Sequence, residues 1–201
     1  MKDGSYYEGE FREGEITGKG YKYNKSRESE YTGEFLEGQY HGKGTLRSKN
    51  QTVYQGDFNE NMMHGYGELA EFKSNQNYKG LWYYNKRHGQ GEQRYSDGSK
   101  YVGDWIRDKR QGHGEFTQLD GTFYEGQWRN DLMNGQGYFR HSSDYIYEGL
   151  FENGYPSRMA TKLEILFNEQ SKTEPIKINE STQIFKVLTK AVNDDNEIFL
   201  G

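Results

Sequence analysis

The chain has 201 residues and a net charge of −5, from 26 basic and 31 acidic residues, and it contains no cysteine. The mixed charge argues against the basic surface of a nucleic-acid-binding protein, and the lack of cysteine excludes disulfides and thiolate metal sites. Only 31% of the residues are hydrophobic while 16% of the chain is aromatic, so we expect a folded protein whose core is built from rings.

The N-terminal stretch MKDGSYYEGEFREG lacks the apolar core of a signal peptide. No run in the chain approaches the roughly 18 to 20 apolar residues that cross a bilayer. From these features we expect a soluble, cytoplasmic protein.

A pattern of spaced tyrosine, glycine and aromatic residues repeats along the chain. Written Y-x-G-x-[FW]-x6-G-x-G, it begins at six tyrosines spaced by 23 or 24 residues: Tyr7, Tyr31, Tyr54, Tyr78, Tyr101 and Tyr124. A seventh, partial copy begins at Tyr147 and meets Pro156 before any glycine pair. We therefore assign residues 1–155 to a repeat domain and residues 156–201 to a C-terminal tail or cap.

Each copy is predicted to form a β-hairpin. The tyrosine, the glycine and the Phe or Trp stand two residues apart, so on a strand they share one face. Seven residues after each tyrosine stands a residue that tolerates left-handed backbone and so favours a tight turn: Gly14, Gly38, Asn61, Asn85, Asp108, Asp131 or Gly154. Asp97 with Gly98, and Asp120 with Gly121, are predicted to turn the chain into the next copy.

A lone hairpin is marginal in water, but hairpins laid side by side share one aromatic face. The sequence thus predicts an all-β fold, an elongated single-layer antiparallel sheet of tandem hairpins with about thirteen strands.

The C-terminal segment has a different pattern. Residues 162–167, KLEILF, are expected to add a strand or to cap the sheet. Ser181 is predicted to begin a helix that ends at about Val192. Its apolar stripe either packs on the protein's own sheet or docks on a partner.

These repeated residues resemble the MORN (membrane occupation and recognition nexus) repeat, over about residues 4–155. The resemblance implies a single-layer antiparallel sheet in which the tyrosine and Phe or Trp rings stack along a groove. It also implies a protein that assembles scaffolds, organises cytoskeleton or cilia, or contacts membranes.

Our first hypothesis is a non-enzymatic scaffold or adaptor that holds a partner segment in its aromatic groove, within a cytoskeletal, ciliary or axonemal assembly. Aromatic residues dominate interface hot spots, and eight are predicted as anchors: Tyr54, Phe58, Tyr78, Trp82, Tyr101, Trp105, Tyr124 and Trp128. The same rings are also candidates for holding neighbouring hairpins together, and the sequence leaves both roles open. It also leaves the oligomeric state open.

The alternative hypothesis is a peripheral membrane tether. Two aligned pairs of basic residues, Lys86 with Arg87 and Lys109 with Arg110, are predicted to lie along one edge of adjacent hairpins. Such a cluster suits acidic lipid head groups or an acidic partner. The competing interpretation is a solvated turn edge, which the neighbouring Asp108 favours.

Catalytic, metal and cofactor sites are not expected. The acidic residues lack a recurring His, Ser or Lys partner, and the glycine pairs open no helix that would bind phosphate. Histidines recur in successive copies, but equivalent positions two strands apart lie roughly 10 Å from each other, too far to share one zinc ion. These histidines are His41, His64, His88 and His113.

Overall fold

The structure is a computed structural model that describes residues 4–143 and 145–165, with side chains as far as residue 157. These residues contain fourteen strands and no helix. The strands are β1 (Tyr6–Arg12), β2 (Glu15–Asn24), β3 (Ser29–Leu36), β4 (Gln39–Ser48), β5 (Thr52–Asn59), β6 (Met62–Glu71), β7 (Gln76–Tyr83), β8 (Lys86–Arg94), β9 (Lys100–Ile106), β10 (Lys109–Thr117), β11 (Phe123–Arg129), β12 (Leu132–Arg140), β13 (Tyr145–Glu152) and β14 (Tyr155–Ile165).

The strands form one open antiparallel sheet whose order is the order of the chain, from β1 to β14. The all-β sheet of tandem hairpins predicted from the sequence is thus confirmed. Packing divides the chain into two compact units, residues 1–112 and residues 113–201. The first contains β1 to β9 and the start of β10, and the second contains the rest of β10 and β11 to β14.

The last hairpin extends beyond the repeat pattern. β14 pairs with β13 from the Glu152–Tyr155 pair to the Tyr145–Ile165 pair. The chain therefore continues as a strand past Pro156, and the strand expected at residues 162–167 belongs to β14 as far as Ile165. The helix predicted from Ser181 lies outside the described residues.

Two-residue turns close the seven hairpins. In the first, Arg12 pairs with Glu15, and the central residues Glu13 and Gly14 have φ of 54° and 85°. Positive φ at both central residues marks the type I′ turn, whose twist matches that of the flanking strands. Each left-handed position predicted from the sequence has positive φ, which confirms that part of the prediction.

The turns of the second, third, fourth, fifth and seventh hairpins are each hydrogen-bonded to the hairpin before them. The backbone N–H of Asn85 donates to the carbonyl of Met63 at 2.9 Å, and its side-chain Oδ1 accepts from the N–H of Met63 at 2.8 Å. Asp108 makes the same reciprocal pair with Arg87, at 3.0 Å in both directions. Asn and Asp at this position therefore provide both left-handed backbone and an acceptor that links neighbouring copies.

A β-bulge in the hairpin brings the glycine after the tyrosine opposite the second glycine of the G-x-G pair. In the third copy Phe58 pairs with Met63, but Gly56 pairs with Gly67, so Asp57 faces three residues of β6. The bulged Gly65 has φ of 61°. Asp57 Oδ2 accepts a hydrogen bond from the backbone N–H of Tyr66 at 3.0 Å, which satisfies a donor that the regular ladder leaves open.

The paired glycines make room for the tyrosine ring. A Cβ atom on Gly67 would lie 2.5 Å from Tyr54 Cζ and closer still to Oη. The Tyr54 hydroxyl donates to the carbonyl of Asp57 at 2.9 Å. The tyrosine thus lies over bare backbone, which is how a single layer of sheet buries a large ring.

Candidate functional site

One face of the sheet carries the tyrosine and the Phe or Trp of every copy, and we call it the ring face. The eight predicted anchors all lie on it, with exposed fractions of 5% or less. The same burial holds for the equivalent residues of the second and seventh copies: Tyr31, Phe35, Tyr147 and Phe151. The ring face is therefore where the core of this protein sits.

The rings pack in perpendicular pairs within and between copies. Tyr54 lies 5.0 Å from Phe58 of its own copy and 5.5 Å from Trp82 of the next, with interplanar angles of 87° and 89°. In the second unit, Tyr124 contacts Trp128 at 5.2 Å and Phe151 at 5.0 Å. Such edge-to-face pairs contribute roughly 0.5–1.5 kcal/mol beyond burial. The rings thus hold hairpin to hairpin, while their role as partner anchors stays a prediction.

The indole N–H groups add a second link between copies. Trp82 Nε1 donates to the carbonyl of Gly67 at 3.2 Å, and Trp128 Nε1 donates to that of Gly114 at 3.0 Å. Burial raises the pKa of the Tyr54 and Tyr124 hydroxyls above the ordinary value. These tyrosines consequently remain protonated hydrogen-bond donors at physiological pH.

The accessible surface of the ring face comes from residues that sequence reasoning missed. The cross-strand neighbours of the Phe and Trp residues are only partly buried, among them Tyr40, Met63 and Met133. Leu69, which pairs with both Tyr54 and Tyr78, is also partly buried. We call these residues the wall residues. The hairpin register would have identified them, but the pattern letters alone do not.

A cavity of about 280 Å³ opens on the ring face of the first unit. Met63, Leu69, Tyr78 and Trp82 form its apolar lining. Its polar lining consists of Glu71, Gln76, Asn77, Asn85, Arg87, Gln93 and Asp108. The lining is therefore mostly polar around a small apolar part, which suits a partner side chain that carries both apolar and polar atoms.

Arg87, one of the four basic residues singled out from the sequence, is held against the ring face. Its guanidinium carbon lies 4.2 Å from the centroid of the Trp105 ring. It donates to Gln93 Oε1 at 2.8 Å and to the carbonyl of Asp108 at 3.1 Å. Stacking and hydrogen bonds thus fix this cation in place.

The other three basic residues are distributed over both faces. Lys86 Nζ lies 2.7 Å from Asp108 Oδ2, and its side chain is 58% exposed. The Arg110 guanidinium lies 5.6 Å from the Tyr101 ring, on the ring face, and Lys109 is exposed. Because adjacent strand residues point to opposite faces, each lysine–arginine pair is split between the two faces.

Asp108 is the carboxylate that these cations share. Burial raises the pKa of its carboxyl, but the hydrogen bonds from Lys86 and from the backbone of Arg87, with the charges of both residues, outweigh burial and lower the pKa. The cluster is therefore partly neutralised by its own acidic neighbour.

Two histidines lie beside Tyr83. The His64 ring is 5.3 Å from the Tyr83 ring, and the His88 ring is 5.6 Å from it. The Nδ1 atoms of both histidines are buried and have no hydrogen-bond partner in the part of the chain that the structure describes.

Across the same residues, no group of three or more His, Asp or Glu side chains is arranged to hold a metal ion. Within 4–143 and 145–165 there is also no helix of the length and apolarity needed to cross a membrane.

No curated protein matches the sequence. The solved TCP domain of SAS-4 (dCPAP) of Drosophila melanogaster, in complex with a proline-rich motif of Ana2 (dSTIL), aligns at 11% identity and a TM-score of 0.43, over 68% of this chain and 77% of that chain. A likeness of this degree carries no argument about this protein.

The family model of the MORN repeat matches more than half of the chain, in six segments: residues 7–23, 31–53, 54–70, 78–100, 101–123 and 124–143. The six segments follow the six complete copies of the sequence pattern. The repeats suggest a protein-interaction or membrane-associated scaffold. The chain therefore belongs to the MORN-repeat family, which is a non-enzymatic repeat family.

Proposed function

We propose that this protein is a structural adaptor that holds a segment of a partner protein on its ring face. The cavity of about 280 Å³ carries the proposal, because Met63 and Leu69 are partly exposed there beside the buried Tyr78 and Trp82. Arg87 and Gln93 add polar groups to the same cavity. A partner side chain, presented by a helix or an extended segment, fits a cleft of this kind.

The buried rings form the floor of this surface, and the partner touches mainly the wall residues. Because the rings are already locked by perpendicular packing, the floor loses little side-chain entropy when a partner binds. Affinity then depends on the few wall residues that the partner covers, in keeping with the usual concentration of binding energy in a few contacts.

The cellular setting is part of the proposal. A cytoplasmic place in a cytoskeletal, ciliary or axonemal assembly is supported by the family resemblance. The membrane tether is the weaker candidate, since Lys86 and Arg87, two of its four predicted cations, both pair with Asp108.

Site-specific photo-crosslinking tests the adaptor. A photoreactive phenylalanine analogue replaces Leu69 on the ring face or, as the matched control, the adjacent Ala70 on the opposite face. Both positions are partly exposed on the same strand. In cell extract we expect a discrete crosslinked partner from position 69 only. No product from position 69, or the same crosslinked partner in equal yield from both positions, would contradict the proposal.

A second variant separates binding from folding. Met63→Arg places a charge at a position where Arg87 already occupies the equivalent site of the next copy, so the fold should be retained. The crosslink from position 69 should then disappear while the far-ultraviolet circular dichroism is unchanged. A persisting crosslink would show that the cavity is not the contact.

A further inference from the structure

The fourth copy differs from the first, third and sixth copies at one position on the face opposite the ring face. In those copies the residue between the glycine and the Phe or Trp accepts a hydrogen bond from the backbone of the glycine pair, as in Glu10 Oε1 to Lys19 N at 3.0 Å and Gln127 Oε1 to Gln136 N at 2.8 Å. In the fourth copy this residue is Leu81, whose side chain carries no hydrogen-bond acceptor and which is 42% exposed.

Leu81 is the centre of an apolar cluster on the face opposite the ring face. We call it the opposite-face patch, and it consists of Tyr66, Leu81, Tyr83, Tyr84 and Ile106. Their side chains are between 40% and 50% exposed. Tyr66 is the cross-strand partner of Leu81, and the Tyr83 and Tyr84 rings lie 4.6 Å apart. An apolar cluster on the solvent side of a sheet marks an interaction surface.

Positive charge borders this patch. Lys86, the cross-strand partner of Tyr83, is paired with Asp108, and Arg107 and Lys109 follow Ile106 in the chain. Among the described side chains, Arg107 and Lys109 make no ion pair, so their charges are not neutralised within the unit. A surface with an apolar centre and basic border complements a segment that carries acidic and apolar side chains.

Two other occupants fit less well. A second copy of the chain, docked patch to patch, would bring these cations against their own counterparts. Anionic lipid is bound by clusters of about four to eight basic residues, whereas, among the described residues, Lys86 is paired with Asp108 and only Arg107 and Lys109 of the border carry charge outside an ion pair.

We propose that the opposite-face patch binds an acidic, apolar-containing segment of a partner protein. This surface is separate from the ring face, and with the adaptor proposed above it would give the protein two independent binding faces. The leucine at position 81 then has an explanation. It lacks the side-chain acceptor that Glu10 and Gln127 provide in their copies, but it adds apolar contact area for the partner.

Synthetic peptides test the proposal. The probe is a short fluorescein-labelled peptide in which glutamate alternates with leucine and phenylalanine, and its binding to the full chain is followed by fluorescence anisotropy. Two matched peptides carry lysine in place of glutamate, or serine in place of the apolar residues. We expect the acidic apolar peptide to bind at least about tenfold more tightly than either, a difference of roughly 1.4 kcal/mol. Equal binding of the three peptides, or no binding of the acidic one, would overturn the proposal.

Matched variants locate the site. Leu81→Gln installs the side chain that Gln127 carries at the equivalent position, so it should keep the fold while weakening the peptide about tenfold. Leu150→Gln makes the same change in the seventh copy and should leave peptide affinity unchanged. Equal affinities of the two variants would also overturn the proposal.

Two further measurements address the other occupants. If Lys109→Glu abolishes sedimentation with phosphatidylserine-containing vesicles while the peptide fails to bind, a lipid surface replaces the proposed partner. If Leu81→Gln dissociates a dimer seen by analytical ultracentrifugation, a second copy replaces it. Crosslinking from position 69 does not depend on this patch, so the ring-face proposal can fail or stand separately.

Discussion

Replacing Trp105 with alanine separates the two roles of the rings, packing and partner binding. Trp105 is 1% exposed, and its ring lies 5.1 Å from Tyr101 and 5.6 Å from Tyr78. Its Nε1 donates to the carbonyl of Gly91 at 3.3 Å, and the Arg87 guanidinium stacks on its face. The side chain therefore contacts its own copy and the copy before it.

The cost of this change can be worked from those contacts. Truncating a buried aromatic side chain to alanine costs about 3–5 kcal/mol, and losing the indole hydrogen bond adds about 1 kcal/mol. A single domain has a free energy of unfolding of only about 5–15 kcal/mol. We expect Trp105→Ala to remove a large part of the stability.

Trp105→Phe is the matched control. Phe58 fills the same pattern position in the third copy and packs against Tyr54 at the same perpendicular geometry. The control should lose only the hydrogen bond and part of the buried area, about 1–2 kcal/mol. Urea denaturation followed by far-ultraviolet circular dichroism gives both values. If Trp105→Ala stayed within about 1 kcal/mol of the parent while the crosslink from position 69 was lost, the ring would be a binding anchor and our packing argument would be wrong.

Two other substitutions test the glycine pairs and the shared carboxylate. Gly67→Ala should lower the free energy of unfolding by about 3 kcal/mol or more, because the added Cβ meets the buried Tyr54 ring. Gly38 has a φ of 74° and open space around it, so Gly38→Ala should cost about 1–2 kcal/mol. Equal urea midpoints of the two variants would refute this. Asp108→Asn keeps the Oδ1 acceptor but removes the charge. Since the folded pKa of Asp108 is lowered, its contribution is present above the unfolded value of 3.8 and is lost as the pH falls through the folded value. The parent should therefore lose more stability than the variant between pH 7 and about pH 3, and parallel losses would contradict the role of Lys86.

The hairpin turns could be predicted from the sequence because each turn depends on residues close in the chain. The left-handed turns required only residue types at a fixed step, as at Gly14 and Asn85. The second role of Asn85, its reciprocal bonds with Met63, requires knowing which residues of the preceding hairpin lie beside the turn. The bulge at Gly65 shifts the register by two residues, so counting back from the turn assigns the wrong partner to Gly56.

The sequence predicted a core of rings, but not how fully the rings of each copy are buried, because that depends on the neighbouring copy. Phe11 and Phe35 occupy the same pattern position, yet Phe11 is 61% exposed and Phe35 is 3% exposed. Phe35 is covered by Tyr7 of the preceding copy at 5.1 Å, whereas Phe11 lies in β1, the edge strand of the described sheet. A single copy thus contains half of its own core, and only the array completes it.

If both proposals hold, recognition in this protein comes mainly from residues outside the repeat pattern. The patterned tyrosines, glycines and rings are occupied in joining one hairpin to the next, and they are equivalent from copy to copy. The copies differ from one another at the other positions. Examples are Met63, Leu69 and Arg87 on the ring face, and Leu81 and Tyr83 on the opposite face. Because the residues of the pattern supply the stability, the residues at these other positions can change without loss of the fold. Both proposed binding surfaces consist of such positions.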